Sequence, residues 1–210
     1  MSSANGYLVA IAVAVVIAFI GKWLISRQTY SHSDDAELQR ANVEKVFALL
    51  MVVTACCMAF AHGSNDVANA IGPLAAVVSV VSTGEITASS TLAPWILPLG
   101  GLGIVAGLAL FGHRVIATIG EGITHLTPSR GFAAEMAAAC TVVIASGTGL
   151  PISTTQTLVG AVLGVGLARG VSALNLGIIR NIVISWIVTL PAGAILSIAC
   201  FFTLKAIFGV

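Results

Sequence analysis

The chain has 210 residues, of which 58% are hydrophobic and only 8% charged; its mean hydropathy is +1.05 and its formal net charge +1. A soluble domain carries about a quarter charged residues, so this composition excludes an ordinary water-soluble protein. No basic run or aromatic-basic interleaving is present, which excludes polynucleotide binding, and the apolar runs are continuous rather than alternating, which selects membrane helices over a β-barrel.

In chain order, Tyr7–Ile25 is long enough to span, ends on Lys22 and Trp23 as interfacial anchors, and lacks a cleavage pattern of small residues. It reads as a retained first span within residues 1–25, not a signal peptide. Ser26–Asn42 mixes Arg27 and Arg40 with Asp34, Asp35 and Glu37, and is expected to be a solvated linker. Residues 43–210 form the remaining body. An apolar run, Val43–Ala61, leads into His62-Gly63-Ser64-Asn65-Asp66-Val67-Ala68-Asn69-Ala70-Ile71-Gly72-Pro73. Gly63, Gly72 and Pro73 are expected to break the helix there, leaving Val67–Val81 as a half-helix or re-entrant hairpin, because it is shorter than the ~20 residues of a full crossing. Ser82–Thr91 reads as a polar turn.

Pro94–Gly112 is a span rich in glycine, a residue that lets helices approach closely. His113–Gly131 sets Val115, Ile116, Ile119 and Ile123 among Arg114, Glu121 and Arg130, a pattern expected of an amphipathic surface helix. Phe132–Ala145 is a short apolar run that ends at Ser146-Gly147-Thr148-Gly149-Leu150-Pro151. Pro151 forbids a simple continuation, so a new helix is expected near Ser153. Arg169–Arg180 reads as a loop, whose two arginines are a slight pointer to the cytoplasmic side and do not fix the orientation, and Asn181–Phe208 as a closing span with Pro191 inside it. Paired, glycine- or proline-interrupted hydrophobic units of this kind, one near Asn65 and one near Ser153, are the sequence mark of a transporter site.

The polar residues in these interruptions carry the chemistry. On a helix Asn65, Asp66 and Asn69 share one face. Carboxylate and carboxamide oxygens are hard ligands suited to Na⁺ or a proton, and carboxamide NH₂ groups donate to anions. Polar groups at bilayer depth are costly, so a ligand, an ion or one another must hold them. Helix capping by Ser64, Asn65 and Asp66 is the bland alternative, but it leaves Asn69 and the acid unexplained. Ser153, Thr154, Thr155, Gln156 and Thr157 offer hydroxyls and the positive end of a helix, an arrangement that binds anions; plain capping is again the alternative. His62 reads as an interior histidine or a proton relay, and Glu135 as an acid awaiting a cation or an arginine. Cys56, Cys57, Cys140 and Cys200 lie in apolar runs without metal-ligand spacing and read as packing residues. No Gly-x-Ser-x-Gly elbow, His-Glu-x-x-His or P-loop occurs, so the chain does not read as an enzyme, and no structural metal or cofactor is expected.

These residues resemble a known family. His62–Pro73 closely resembles the Gly-Ala-Asn-Asp-Val-Ala-Asn signature of the inorganic phosphate transporter (PiT) family. Thr127-Pro128-Ser129-Arg130-Gly131-Phe132, Gly149-Leu150-Pro151-Ile152-Ser153-Thr154-Thr155 and Leu158-Val159-Gly160-Ala161 resemble it further along, so the likeness runs from about Val43 to the C-terminus. The resemblance implies an all-α polytopic membrane protein, one half of an inverted-repeat transporter with broken or re-entrant helices. Six or seven hydrophobic segments are expected in this chain. It implies alternating-access symport of inorganic phosphate with H⁺ or Na⁺, in bacterial members as a metal–phosphate complex, at the bacterial inner membrane. Asn65, Asn69, Ser153, Thr154 and Thr155 would bind phosphate. Asp66, Asn65, Asn69 and Gln156 would couple the cation, although family members often carry histidine where this chain has Gln156. The signature occurs once where the family has it twice, so a second repeat is the expected partner, either an N-terminal half or a second copy. The alternative is an incomplete half or accessory subunit without transport of its own.

Overall fold

A computed structural model describes residues 3–27, 35–85 and 93–209. Within them the chain forms six α-helices: α1 Ser3–Ser26, α2 Ala36–Thr83, α3 Ile96–Ala117, α4 Pro128–Gly147, α5 Thr154–Ala168 and α6 Leu176–Phe208. A π-turn, Thr118–Gly122, continues α3, and a 3₁₀ turn, Val171–Ala173, precedes α6. Among the described residues three stretches are long and apolar enough to cross a membrane: α2, Ile96–Gly122 and α6. The protein is an integral membrane protein built from helices.

The first polar interruption is not a break. One helix of 48 residues runs through His62–Pro73, and its N-cap, Asp35, takes the Glu37 N–H at 3.0 Å, inside the stretch expected to be linker. The expected half-helix Val67–Val81 is therefore the C-terminal part of a continuous rod. Gly63 and Gly72 cost the helix only propensity, and Pro73 removes a single N–H bond, that to the Asn69 carbonyl. Packing on both sides outweighs those losses. At 1.5 Å per residue the rod is about 72 Å long, well beyond the ~30 Å hydrocarbon core. Residues 28–34 of the linker and 86–91 of the polar turn lie outside the described residues.

The expected amphipathic surface helix over His113–Gly131 is also replaced. Its first part extends α3 into the π-turn, and α4 starts at Pro128. Pro128 suits the first helical position because its missing N–H would be unpaired there anyway. The Glu44 carboxylate of α2 accepts from the Ser129 N–H at 2.8 Å and from the Ser129 hydroxyl at 2.7 Å, which seats an anion on the positive end of α4. The second interruption is a true break: Thr148–Ser153 is not helical, Gly149 sits at φ +74°, and Ser153 caps α5.

Helix α4 is the centre of the bundle. Its buried residues are Gly131, Ala134, Ala138, Ala139, Val142 and Ala145, a stripe of small side chains that lets α2 and α5 close on it. One cluster joins Met58 and Ala61 to Ala138, Ala139 and Val142; another joins Ile119 and Ile123 to Ala134, Val159 and Val162, with Ile178, Ile182 and Trp186 of α6 at its edge. Arg169 ties the end of α5 to the turn before α4 by donating to the Thr124 hydroxyl at 3.2 Å and the His125 carbonyl at 3.1 Å. No residue of α6 is fully buried: Ile178, Ile179, Ile182 and Trp186 pack against the second cluster, and most of its other apolar side chains face outward.

Helix α3 meets α2 at Gly100, where an added Cβ would lie 2.7 Å from Ile71 Cγ1. Ile71 is itself buried against Ala75 and Ile96 and has little room to move. Gly100→Ala is expected to destabilise the protein by about 1–3 kcal/mol, as overpacking does. Adding Ile71→Ala should recover part of that loss. Thermal unfolding in detergent micelles reads both; an unchanged midpoint for Gly100→Ala would refute the close approach.

Candidate functional site

The two interruptions meet in space. Asp66, about two-thirds of the way along α2, is held by three groups from two helices. Its Oδ1 accepts from the Thr154 hydroxyl at 3.0 Å and from Asn65 Nδ2 at 3.2 Å; its Oδ2 lies 2.6 Å from His62 Nε2. His62 and Asp66 stand one helical turn apart, the spacing at which side chains of a helix touch. The side chains of both are 33% exposed, so the acid is neither sealed in nor in bulk solvent. Thr154 is the first residue of α5, so the acid sits beside the positive end of that helix.

The carboxamides of α2 clamp the break. Asn65 Nδ2 and Asn69 Nδ2 both donate to the Ile152 carbonyl, at 3.0 and 3.2 Å, and Asn65 Oδ1 accepts from the Ser146 hydroxyl at 3.3 Å. The break strips Ile152 of a helical partner, and the two amides supply one. No buried side-chain polar atom among the described residues lacks a hydrogen bond.

The residues expected to bind phosphate are thus brought together unevenly. Asn65 is buried and spends its NH₂ on Ile152 and Asp66; Asn69 is exposed, and its NH₂ also goes to Ile152. Thr154 faces Asp66. Ser153 is exposed, and its oxygen accepts the Gln156 N–H at 3.3 Å, so its own proton is still available. Thr155 turns to the other side of α5. There it lines a cavity of about 220 Å³ with Arg114, Val115, Thr118, Ile119, Val159 and Ile182. Gln156 is exposed, and its carboxamide makes none of the bonds that hold Asp66.

Two participants were not singled out from sequence as members of the site. Ser146 and the Ile152 carbonyl gave no signal, because a backbone oxygen has no sequence signature and Ser146 is 81 positions from its partner. His62, read as an interior histidine or a proton relay, is in contact with Asp66. Glu135, the other acid at depth, accepts the Thr54 hydroxyl at 2.6 Å; no arginine or lysine among the described residues pairs with it.

The model of the phosphate transporter family matches residues 2–197. The chain belongs to that family. A putative phosphate permease of Haemophilus influenzae is 57% identical over 209 residues, covering 99% of this chain and 50% of the relative. The chloroplastic inorganic phosphate transporter 2-1 of Arabidopsis thaliana is 56% identical over 155 residues, covering 73% of this chain and 26% of that protein. A solved structure described as the sodium-dependent phosphate transporter superposes with a TM-score of 0.78 at 42% identity, over 98% of this chain and 50% of that one. This phosphate transporter family chain therefore spans about half the length of its permease relative. Family membership accords with the lack of any enzymatic constellation.

Asn65 and Asn69 share an acceptor but not an environment. Asn65→Ala removes three hydrogen bonds from a buried position, and is expected to cost about 1–3 kcal/mol. Asn69→Ala removes one from an exposed position and should cost clearly less. Unfolding midpoints in mild detergent rank the two, and an equal or reversed order would refute the clamp.

Proposed function

We propose that this chain forms one repeat of a carrier that moves inorganic phosphate across a membrane with a coupling cation, by alternating access. The observation that carries the reading is the Asp66–Thr154 contact, which puts an acid and the positive end of α5 side by side at a helix break. Its phosphate side is the first turn of α5. The Thr154 and Thr155 N–H groups have no carbonyl one turn back within the helix, and the Ser153 hydroxyl still has its proton. Its cation side is Asp66 with the oxygens of Asn69. The Asn69 side-chain oxygen is free of the clamp, and Pro73 withholds the N–H that its main-chain carbonyl would otherwise receive. Hard oxygens of this kind suit Na⁺.

Charge explains why the two solutes would travel together. An anion about 5 Å from a carboxylate, at an effective dielectric of about 20, is repelled by roughly 3 kcal/mol. A cation on Asp66 cancels that repulsion and raises anion affinity by about a hundredfold, and linkage gives the anion the same effect on the cation. The relative described as sodium-dependent supports Na⁺ as the first cation to test, with the proton second. Helical spans fit a bacterial inner membrane, since outer-membrane spans are barrels.

One observation supports a second reading, a half-carrier inactive by itself: the permease relative is about twice as long, and a site between repeats needs both. Uptake of labelled phosphate into proteoliposomes separates the two. Uptake by this chain alone, driven by a Na⁺ or proton gradient, supports the first reading; uptake only when a second repeat is co-reconstituted supports the second. In whichever system is active, Asp66→Asn should abolish the roughly hundredfold gain in phosphate affinity that the cation brings, because the carboxylate that both held the cation and repelled the anion is gone. Uptake that keeps its full Na⁺ or pH dependence in Asp66→Asn would remove the acid from the coupling.

A further inference from the structure

We infer that the side chain of Thr154 serves the cation and not the phosphate: its hydroxyl positions the Asp66 carboxylate and makes no contact with the anion, which is left to the main-chain N–H groups of the turn and to the neighbouring hydroxyls. The assignment rests on the carrier reading above and divides its hydroxyl-rich turn in two.

Three observations converge. Thr154 is 2% exposed, whereas its neighbours Ser153 and Thr155 are exposed. A solute in the site reaches those neighbours before it reaches Thr154. A hydroxyl has one proton to give, and that of Thr154 goes to Asp66 Oδ1 at 3.0 Å. An anion taking that proton would have to sit against the carboxylate oxygen that now accepts it, the costliest position in the site for negative charge. While the proton points at Asp66, the lone pairs of the same oxygen stay open, and they are a hard ligand for Na⁺. Thr154 therefore acts twice on the cation side: it fixes Oδ1, and it adds an oxygen next to it.

The other bonds to Asp66 do not replace this one. Asn65 Nδ2 shares Oδ1 from 3.2 Å and is also committed to Ile152; His62 holds the opposite oxygen. Both come from α2 itself. Thr154 alone ties the carboxylate to α5, and so fixes the acid relative to the helix end that faces the anion. Without the hydroxyl the carboxylate loses both a ligand neighbour and its fixed aim. A Na⁺ ion must gather several oxygens at once, so lost preorganisation weakens its binding.

The test uses this chain in lipid nanodiscs, with binding of radiolabelled Na⁺ and of labelled phosphate read separately at fixed pH. Thr154→Val keeps the shape and removes the hydroxyl. It should weaken Na⁺ binding about tenfold, the worth of one hydrogen bond to a charged group. Phosphate affinity at saturating Na⁺ should stay within about twofold, and Thr154→Ser should restore Na⁺ binding. In an Asp66→Asn background the same substitution should change nothing further, as coupled residues behave. If Thr154→Val does not fold, Thr154→Ala gives the same comparison. Unchanged or tighter Na⁺ binding overturns the assignment. Weaker phosphate binding at saturating Na⁺ overturns it in favour of direct contact, and equal loss of both overturns it in favour of a purely structural role. A wild-type chain that binds Na⁺ but never phosphate, alone or with a second repeat, refutes the carrier reading and leaves the Na⁺ comparison decisive for Thr154.

Discussion

An acid on an apolar helix is the constraint around which this molecule is arranged. Asp66 sits in a helix otherwise able to cross a membrane, where an unsatisfied carboxylate is expensive. α2 by itself offers only His62 and Asn65. The remaining donor comes from the far side of the bundle, from a hydroxyl at the start of α5. That donor is placed by the break between α4 and α5, and the break is in turn held by Asn65 and Asn69. The acid, the clamp and the helix end are therefore one cooperative unit, in which each part satisfies a polar group that another part exposes.

The small-residue face of α4 makes that unit possible. Alanine and glycine along its buried stripe bring α2 close enough to the start of α5 for the Asn65 side chain to reach the Ile152 carbonyl, 87 positions away, and for the Asp66 and Thr154 side chains, 88 apart, to hydrogen-bond. At the other end Glu44 holds the start of α4 through Ser129, so α4 is tied to α2 near both of its ends, by Glu44–Ser129 and by Asn65–Ser146. Apolar area cannot drive such packing in lipid, where the solvent is itself apolar. Close contact and polar ties do that work instead.

The outer surface carries the opposite character. Leu190, Leu196, Phe202 and Phe208 of α6 are more than 60% exposed, as are Phe60 and Val81 of α2. In water such a face would aggregate; in a membrane it meets lipid or another helix. The chain is half the length of its permease relative, and this apolar flank is a surface on which lipid or another helix can pack.

Much of this was legible in the sequence. Composition together with continuous apolar runs specifies helices in a membrane, because a helix satisfies its backbone within one segment whereas a barrel needs alternating strands. Pro151 sets the second break, since it lacks an N–H and restricts Leu150 before it. The family follows from several motifs in order. The sequence did not reveal that α2 runs unbroken through Gly63, Gly72 and Pro73. Local propensities argued against it, and packing against α3 and α4 overrode them, as tertiary context commonly does. It also could not assign the hydroxyls at the start of α5. Ser153, Thr154 and Thr155 are chemically alike, and only the angular position of each on α5, together with where α2 lies, sends Thr154 to Asp66 and Thr155 to the opposite cavity. Residue type determined which chemistry is present, because side-chain groups are written in the chain. Which atom each group faces was decided by helix rotation and distance, which exist only once the helices have packed.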